Sequence, residues 1–242
     1  MPTASKRICL WSGPRNVSTA LMYSFAQRSD TRVYDEPLYA HYLSQSKASA
    51  YHPGADEVLA SQENDGEKVI AALLRTDEKP VLFFKNMAHH LLNLDRSFMK
   101  ETVSVILTRN PVDMLPSFAK VIDAPTLEDV GYRIQADLAR ELRSQQLPMI
   151  VLEAKDILID PRKALTRVCQ VADIPFDEAM LRWPAGARPE DGVWAKYWYD
   201  SVHRSTGFDL YRPKDTPFPE HLKPLLEECL PYYEELCALG ND

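Results

Sequence analysis

The chain has no apolar run approaching the length of a membrane span, no closely paired cysteines, no internal repeat and no surplus of positive charge. Each absence removes a class of protein. Cys9, Cys169, Cys229 and Cys237 are widely separated, so neither a zinc ligand set nor a disulfide framework is indicated. With 28 Lys and Arg against 35 Asp and Glu, the formal net charge is −7. A surface of that sign does not draw nucleic acid or an anionic membrane, so any anion site must be local. Lys6 and Arg7 near the amino terminus are not followed by the apolar stretch of a secretory signal. A soluble protein of the reducing cytoplasm is expected. The length of 242 residues and 45% hydrophobic content suit one domain, residues 1–242, with a substantial core.

What is present is concentrated in a few segments. Residues 8–22, Ile-Cys-Leu-Trp-Ser-Gly-Pro-Arg-Asn-Val-Ser-Thr-Ala-Leu-Met, read as a short apolar strand, an abrupt turn and the first turn of a helix. A helix start offers unpaired N–H groups and the positive end of its dipole, so this turn is built to cradle an anion. It is not a Walker loop, because Gly13 is followed by Pro14, Arg15, Asn16, Val17, Ser18 and Thr19 and the Gly-Lys pair is missing. A backbone nest, the Arg15 guanidinium and two hydroxyls remain, which suits phosphate or sulfate without a required metal. An ordinary capped helix start would read similarly.

Residues 103–108 form an unbroken β-branched and apolar run that ends at Arg109, and Pro111 then opens a helix. Such a run fits a strand buried on both faces of a parallel sheet, with Arg109 at the carboxyl edge where open α/β sheets bind ligands. Further strands are expected near 7–12, 31–35, 80–85 and 148–153. Helices are expected near 17–28, 66–75, 112–121, 127–143, 161–172 and 222–238. This alternation predicts an α/β fold with a central parallel sheet flanked by helices. Residues 44–66 read as a long connection or short helices, either lid-like or plain surface loop. Asp160 can cap a helix with Pro161 at its first position, and Leu165, Val168, Cys169 and Ala172 form its core-facing stripe.

The turn at residues 13–19 resembles the 5′-phosphosulfate loop of sulfotransferases that use 3′-phosphoadenosine 5′-phosphosulfate, whose usual form is Pro-Lys/Arg-x-Gly-Thr/Ser-Ser/Thr. Val17 stands where that family mostly has glycine. The segment Arg109-Asn110-Pro111-Val112-Asp113-Met114-Leu115-Pro116-Ser117 resembles, in order and spacing, the family's grip on the 3′-phosphate. The resemblance implies a P-loop NTPase-like sulfotransferase fold. It implies donor binding by Gly13, Pro14, Arg15, Asn16, Val17, Ser18, Thr19, Arg109 and Ser117, and release of adenosine 3′,5′-bisphosphate. It also implies that a sulfuryl group passes to a hydroxyl or amine of a small-molecule acceptor. The strand ending at Lys85, followed by His89 and His90, resembles the segment that brings a lysine and a histidine to the sulfuryl group. The family histidine follows its lysine by two residues, and here the offset is four or five. Glu36 ends the second strand where some bacterial sulfotransferases carry an acceptor-facing glutamate. The proton could go to His89, His90 or Glu36, with Arg15 and Lys85 stabilising developing charge. Trp194 and Trp198 are four apart and would share a helix face, from whose neighbouring turns Lys196 and Arg204 could reach phosphate, and Gly192-Val193-Trp194-Ala195-Lys196 is loosely similar to a late family loop that closes over the nucleotide. The alternatives are a P-loop kinase of a small metabolite and an inactive nucleotide-binding module. The acceptor's identity and the oligomeric state are not legible in the chain.

Overall fold

A computed structural model describes residues 5–213 and 216–240. Five strands, β1 Lys6–Ser12, β2 Thr31–Asp35, β3 Val81–Met87, β4 Val103–Thr108 and β5 Met149–Glu153, form one sheet in the order β2-β3-β1-β4-β5. Every pairing is parallel. β1 is central because its core residues are apolar on both faces. Ile8 and Leu10 join one layer with Phe83, Val105 and Leu107, while Cys9 and Trp11 join the other with Leu82, Phe84 and Ile106.

The helices are α1 Ser18–Phe25, α2 Tyr39–Gln45, α3 Ala55–Ser61, α4 Gly66–Arg75, α5 Pro111–Phe118, α6 Leu127–Val130, α7 Tyr132–Ser144, α8 Ala154–Ile159, α9 Pro161–Val171, α10 Ala195–Trp198, α11 Asp200–His203 and α12 Lys223–Gly240. The first sheet face packs under α1 and α9, and Leu165, Val168, Cys169 and Ala172 are core residues there. Ile70 of α4, Ala136, Leu138 and Leu142 of α7, and Leu236 of α12 cover the second face. Asp160 accepts a hydrogen bond from the Lys163 N–H and Pro161 opens α9.

The expected single helix over 127–143 is two helices, because Gly131 takes a left-handed conformation (φ 74°) and breaks the run between α6 and α7. Residues 44–66 contain the end of α2, a turn of 3-10 helix at Lys47–Ala50 and α3. The chain first visits the β2-β3 side of β1 and then crosses to β4 and β5. The sheet therefore has its topological switch at the carboxyl end of β1, where a crevice opens.

Candidate functional site

The loop after β1 and the start of α1 sit at this switch point. Gly13 lies just behind the wall, where an added Cβ would come within 3.2 Å of the Val130 carbonyl oxygen, tight enough that the loop or α6 would have to give by a few tenths of an ångström. Arg15 takes a left-handed conformation (φ 51°) while Val17 is ordinary (φ −88°). The turn that reverses the loop is thus made at Arg15, and no glycine is needed at Val17. α1 has no side-chain cap, and its first intrahelical bond runs from the Leu21 N–H to the Val17 carbonyl at 3.0 Å. The preceding N–H groups of Ser18, Thr19 and Ala20 have no intrahelical partner, and these residues line the cavity.

β4 delivers Arg109 beside that loop. Its Nη1 donates to the Arg15 carbonyl at 2.6 Å, and Arg15 Nε donates to Ser117 Oγ at 3.2 Å. Two guanidiniums, one serine and a helix start therefore meet. Burial and the neighbouring Arg109 charge both push the Arg15 pKa down. Among the described residues, neither arginine is in an ion pair, though Glu153, bonded to the Asn110 N–H, acts on Arg109 through space, so the cluster is cationic.

The same cavity, of about 350 Å³, reaches to the ends of β2 and β3. Lys85 is fully buried, and its ammonium donates to Asp35 Oδ1 at 2.8 Å, to Glu36 Oε1 and to Tyr199 Oη at 2.6 Å. An ammonium has three protons, and all are used. Burial alone would push its pKa down, but the two carboxylates outweigh that and the net direction is up. The Tyr199 phenol donates to Asp35 at 2.8 Å and accepts from Trp194 Nε1 at 3.1 Å. Glu36 takes a left-handed conformation (φ 42°) directly before Pro37, a strained arrangement of the kind that collects at working sites. Burial raises its pKa, and the Asp35 charge adds to the rise against the opposing Lys85.

His89 and His90 form the next wall. His90 stacks on Tyr39 with ring centroids 5.0 Å apart, and its Nε2 is 3.8 Å from Glu36 Oε2, beyond hydrogen-bond distance. Neither nitrogen of His90 has a partner among the described residues, nor does Nδ1 of His89. Burial pushes His89 down to about 3 and His90 well below its usual value, so both imidazoles are neutral.

The structure thus brings Pro14, Arg15, Asn16, Val17, Ser18, Thr19, Glu36, Lys85, His89, His90, Arg109 and Ser117 onto one cavity. Lys196 and Arg204 are not on it. Trp194 and Tyr199 take the buried side of this stretch, which turns Lys196 out to Glu57 (2.7 Å) and leaves Arg204 paired with Asp200 (2.6 Å) on the surface. Sequence reasoning missed Tyr199, although the aromatic density of residues 190–207 marks its neighbourhood. It also missed Tyr39 and His52, which carry no motif.

Among the described residues, no cluster of His, Cys, Asp and Glu could hold a metal, no helix is long and apolar enough to cross a membrane, and the four cysteines are free. A family model described as a sulfotransferase domain matches residues 6–239. The chain is 40% identical over 228 residues to branched-chain-amino-acid aminotransferase-like protein 2 of Arabidopsis thaliana, and 42% identical over 229 residues to protein 1 of that name. These matches cover 93% of this chain but 40% of each relative, so the chain spans about two fifths of their length. Among solved structures, the sulfotransferase domain of the Synechococcus PCC 7002 olefin synthase is similar at a TM-score of 0.54 and 16% identity, over 94% of this chain and 96% of that one. The sulfotransferase of Alicyclobacillus acidocaldarius gives 0.53 at 11% identity, over 99% and 97%. At such identities the likeness shows the fold, which is the sulfotransferase fold. From the family match over nearly its whole length, the chain belongs to the sulfotransferase-domain family.

Proposed function

We propose that the protein transfers a sulfuryl group from 3′-phosphoadenosine 5′-phosphosulfate to a hydroxyl of a small-molecule acceptor. The observation that carries this reading is the pair of guanidiniums, Arg15 and Arg109, held side by side with no carboxylate in ion-pair contact among the described residues, at the uncapped start of α1. Such a cluster needs an anion with charge at more than one point. The N–H groups of Ser18, Thr19 and Ala20, with the Arg15 guanidinium, take the 5′-phosphosulfate. Arg109 and Ser117 take the 3′-phosphate, and the product is adenosine 3′,5′-bisphosphate. No metal is required by this set of ligands, since the charge is met by arginines and backbone N–H groups.

At the far end, Glu36 is the base. The acceptor oxygen attacks sulfur, its proton passes to the Glu36 carboxylate, and the bond from sulfur to the phosphate oxygen breaks. The imidazoles of His89 and His90 are too weakly basic for that task, because burial favours their neutral form so strongly. Lys85 has no free proton to offer a leaving oxygen and serves to hold Glu36 in place. Charge on the departing group falls instead to Arg15 and the helix start. The same saturation of Lys85 by two carboxylates keeps its nitrogen protonated. It is therefore unsuited to the imine chemistry of an aminotransferase, which the names of the Arabidopsis relatives mention.

Calorimetry with adenosine 3′,5′-bisphosphate, and with ATP and magnesium, tests the donor site. The bisphosphate is expected to bind, and Arg109→Ala to weaken it by roughly tenfold or more, the loss of one charge-assisted contact. Equal binding by the variant, or preference for magnesium ATP in the parent, refutes the assignment.

A further inference from the structure

The two ends of the cavity carry opposite charge. Among the residues on its wall, the cations are Arg15 and Arg109 at the donor end and Lys85 at the other. Lys85 faces two carboxylates, Asp35 and Glu36, and all three groups are buried. The acceptor end is therefore net negative, with no proton left on its one ammonium to meet an anion. The histidines add no positive charge. His90 is fully buried and His89 is 8% exposed, and no carboxylate lies within hydrogen-bond distance of either ring. A further carboxylate, Asp129, bonded to Tyr51 at 2.6 Å, is close enough to act on His52 and His89 through space.

We propose that this end admits acceptors whose hydroxyl-bearing body is uncharged and rejects those carrying a carboxylate or phosphate. The inference rests on the sulfuryl-transfer reading above, and narrows it to one class of acceptor. An anion moved here would lose its hydration without gaining a cation and would meet Glu36 at close range. An uncharged alcohol or phenol meets no such penalty. Its hydroxyl donates to Glu36 as the proton acceptor, and the neutral rings of His89 and His90 on the cavity wall bring no charge to meet an anion. Tyr39 stacks on His90 and Trp194 packs edge-on against Tyr39, and both line the cavity, where they supply apolar surface for the body of the molecule. A protonated amine would be drawn to the carboxylates but has no lone pair with which to attack sulfur.

The test uses the full chain, radiolabelled 3′-phosphoadenosine 5′-phosphosulfate and matched pairs of acceptors differing by one carboxylate. Suitable pairs are benzyl alcohol with hydroxymethylbenzoate, and methylphenol with hydroxyphenylacetate. Adenosine 3′,5′-bisphosphate is run alongside as a thermal-shift ligand. Label is expected in the uncharged members with kcat/KM higher by roughly tenfold or more, the order of an unscreened charge clash in a partly desolvated site. Equal or better transfer to the carboxylates overturns the inference, as does transfer to none of the uncharged members while the bisphosphate still raises the melting temperature. Loss of the bisphosphate shift together with all transfer overturns the underlying reading as well, so the two failures are distinguishable.

Discussion

At the scale of single residues, Glu36 is a carboxylate whose proton affinity its surroundings raise. It is buried beside Asp35, and its pKa is raised by that burial. A base works only when ionised. As pH falls, kcat/KM should therefore fail before the usual carboxylate range of about 4 is reached. Glu36→Gln keeps an oxygen for Lys85 but cannot take a proton, so kcat/KM should drop by about 10²–10⁴-fold with bisphosphate affinity unchanged. A variant that retains most of its activity, or an acid limb that persists in it, would return the role to a histidine. Which of the three candidates is the base could not be read from the chain, because it depends on burial that only the fold creates. Val17 teaches the converse. Its departure from the family glycine looks costly in one dimension, yet the loop reverses at Arg15 and leaves Val17 in ordinary backbone geometry.

At the scale of elements, the sheet was legible because a strand buried on both faces has to be apolar throughout, and all five expected strands are present. Arg109 and Ser117 were legible for a related reason, since a strand end followed by a proline-started helix fixes both positions locally. The short helices α2, α10 and α11 were not legible, and α3 was legible only as one of two readings of residues 44–66. They are held by contacts from distant parts of the chain, such as Tyr39 on His90 and Tyr199 on Lys85, and their own periodicity is too brief to register. The segment that carries α10 and α11 hangs on Asp191, whose carboxylate accepts from the Tyr23 hydroxyl at 2.7 Å and the Arg188 N–H at 2.8 Å and pairs with His203 at 2.9 Å. Asp191→Ala strands those groups, at about 1–3 kcal/mol for each one left buried and unpaired. Limited proteolysis followed by mass spectrometry should then show faster cleavage within residues 185–210. Cleavage at the parent rate would show that the segment is held by packing alone.

At the scale of the whole molecule, the site sets a limit on stability in acid. His89 and His90 are buried as neutral rings that act on one another, with Asp129, Glu36, Lys85, His41 and His52 as the other titratable groups acting on them. In the unfolded chain both would take up a proton near pH 6.5, whereas in the folded protein His89 does so only at about 3. A depressed folded pKa means that stability is complete above the unfolded value and drains away as pH falls toward the folded one. For each such histidine the slope is about 1.4 kcal/mol per pH unit below 6.5, before other groups are counted. His90→Phe preserves a ring to stack on Tyr39 and replaces two unpartnered nitrogens with carbon, so it removes one of these proton sinks without opening a cavity. Urea midpoints taken between pH 7.5 and pH 4.5, a span of about three units that crosses the histidine value, should fall less steeply for the variant than for the parent. Parallel curves would mean that His90 is protonated in the folded protein. The acceptor end would then carry a positive charge.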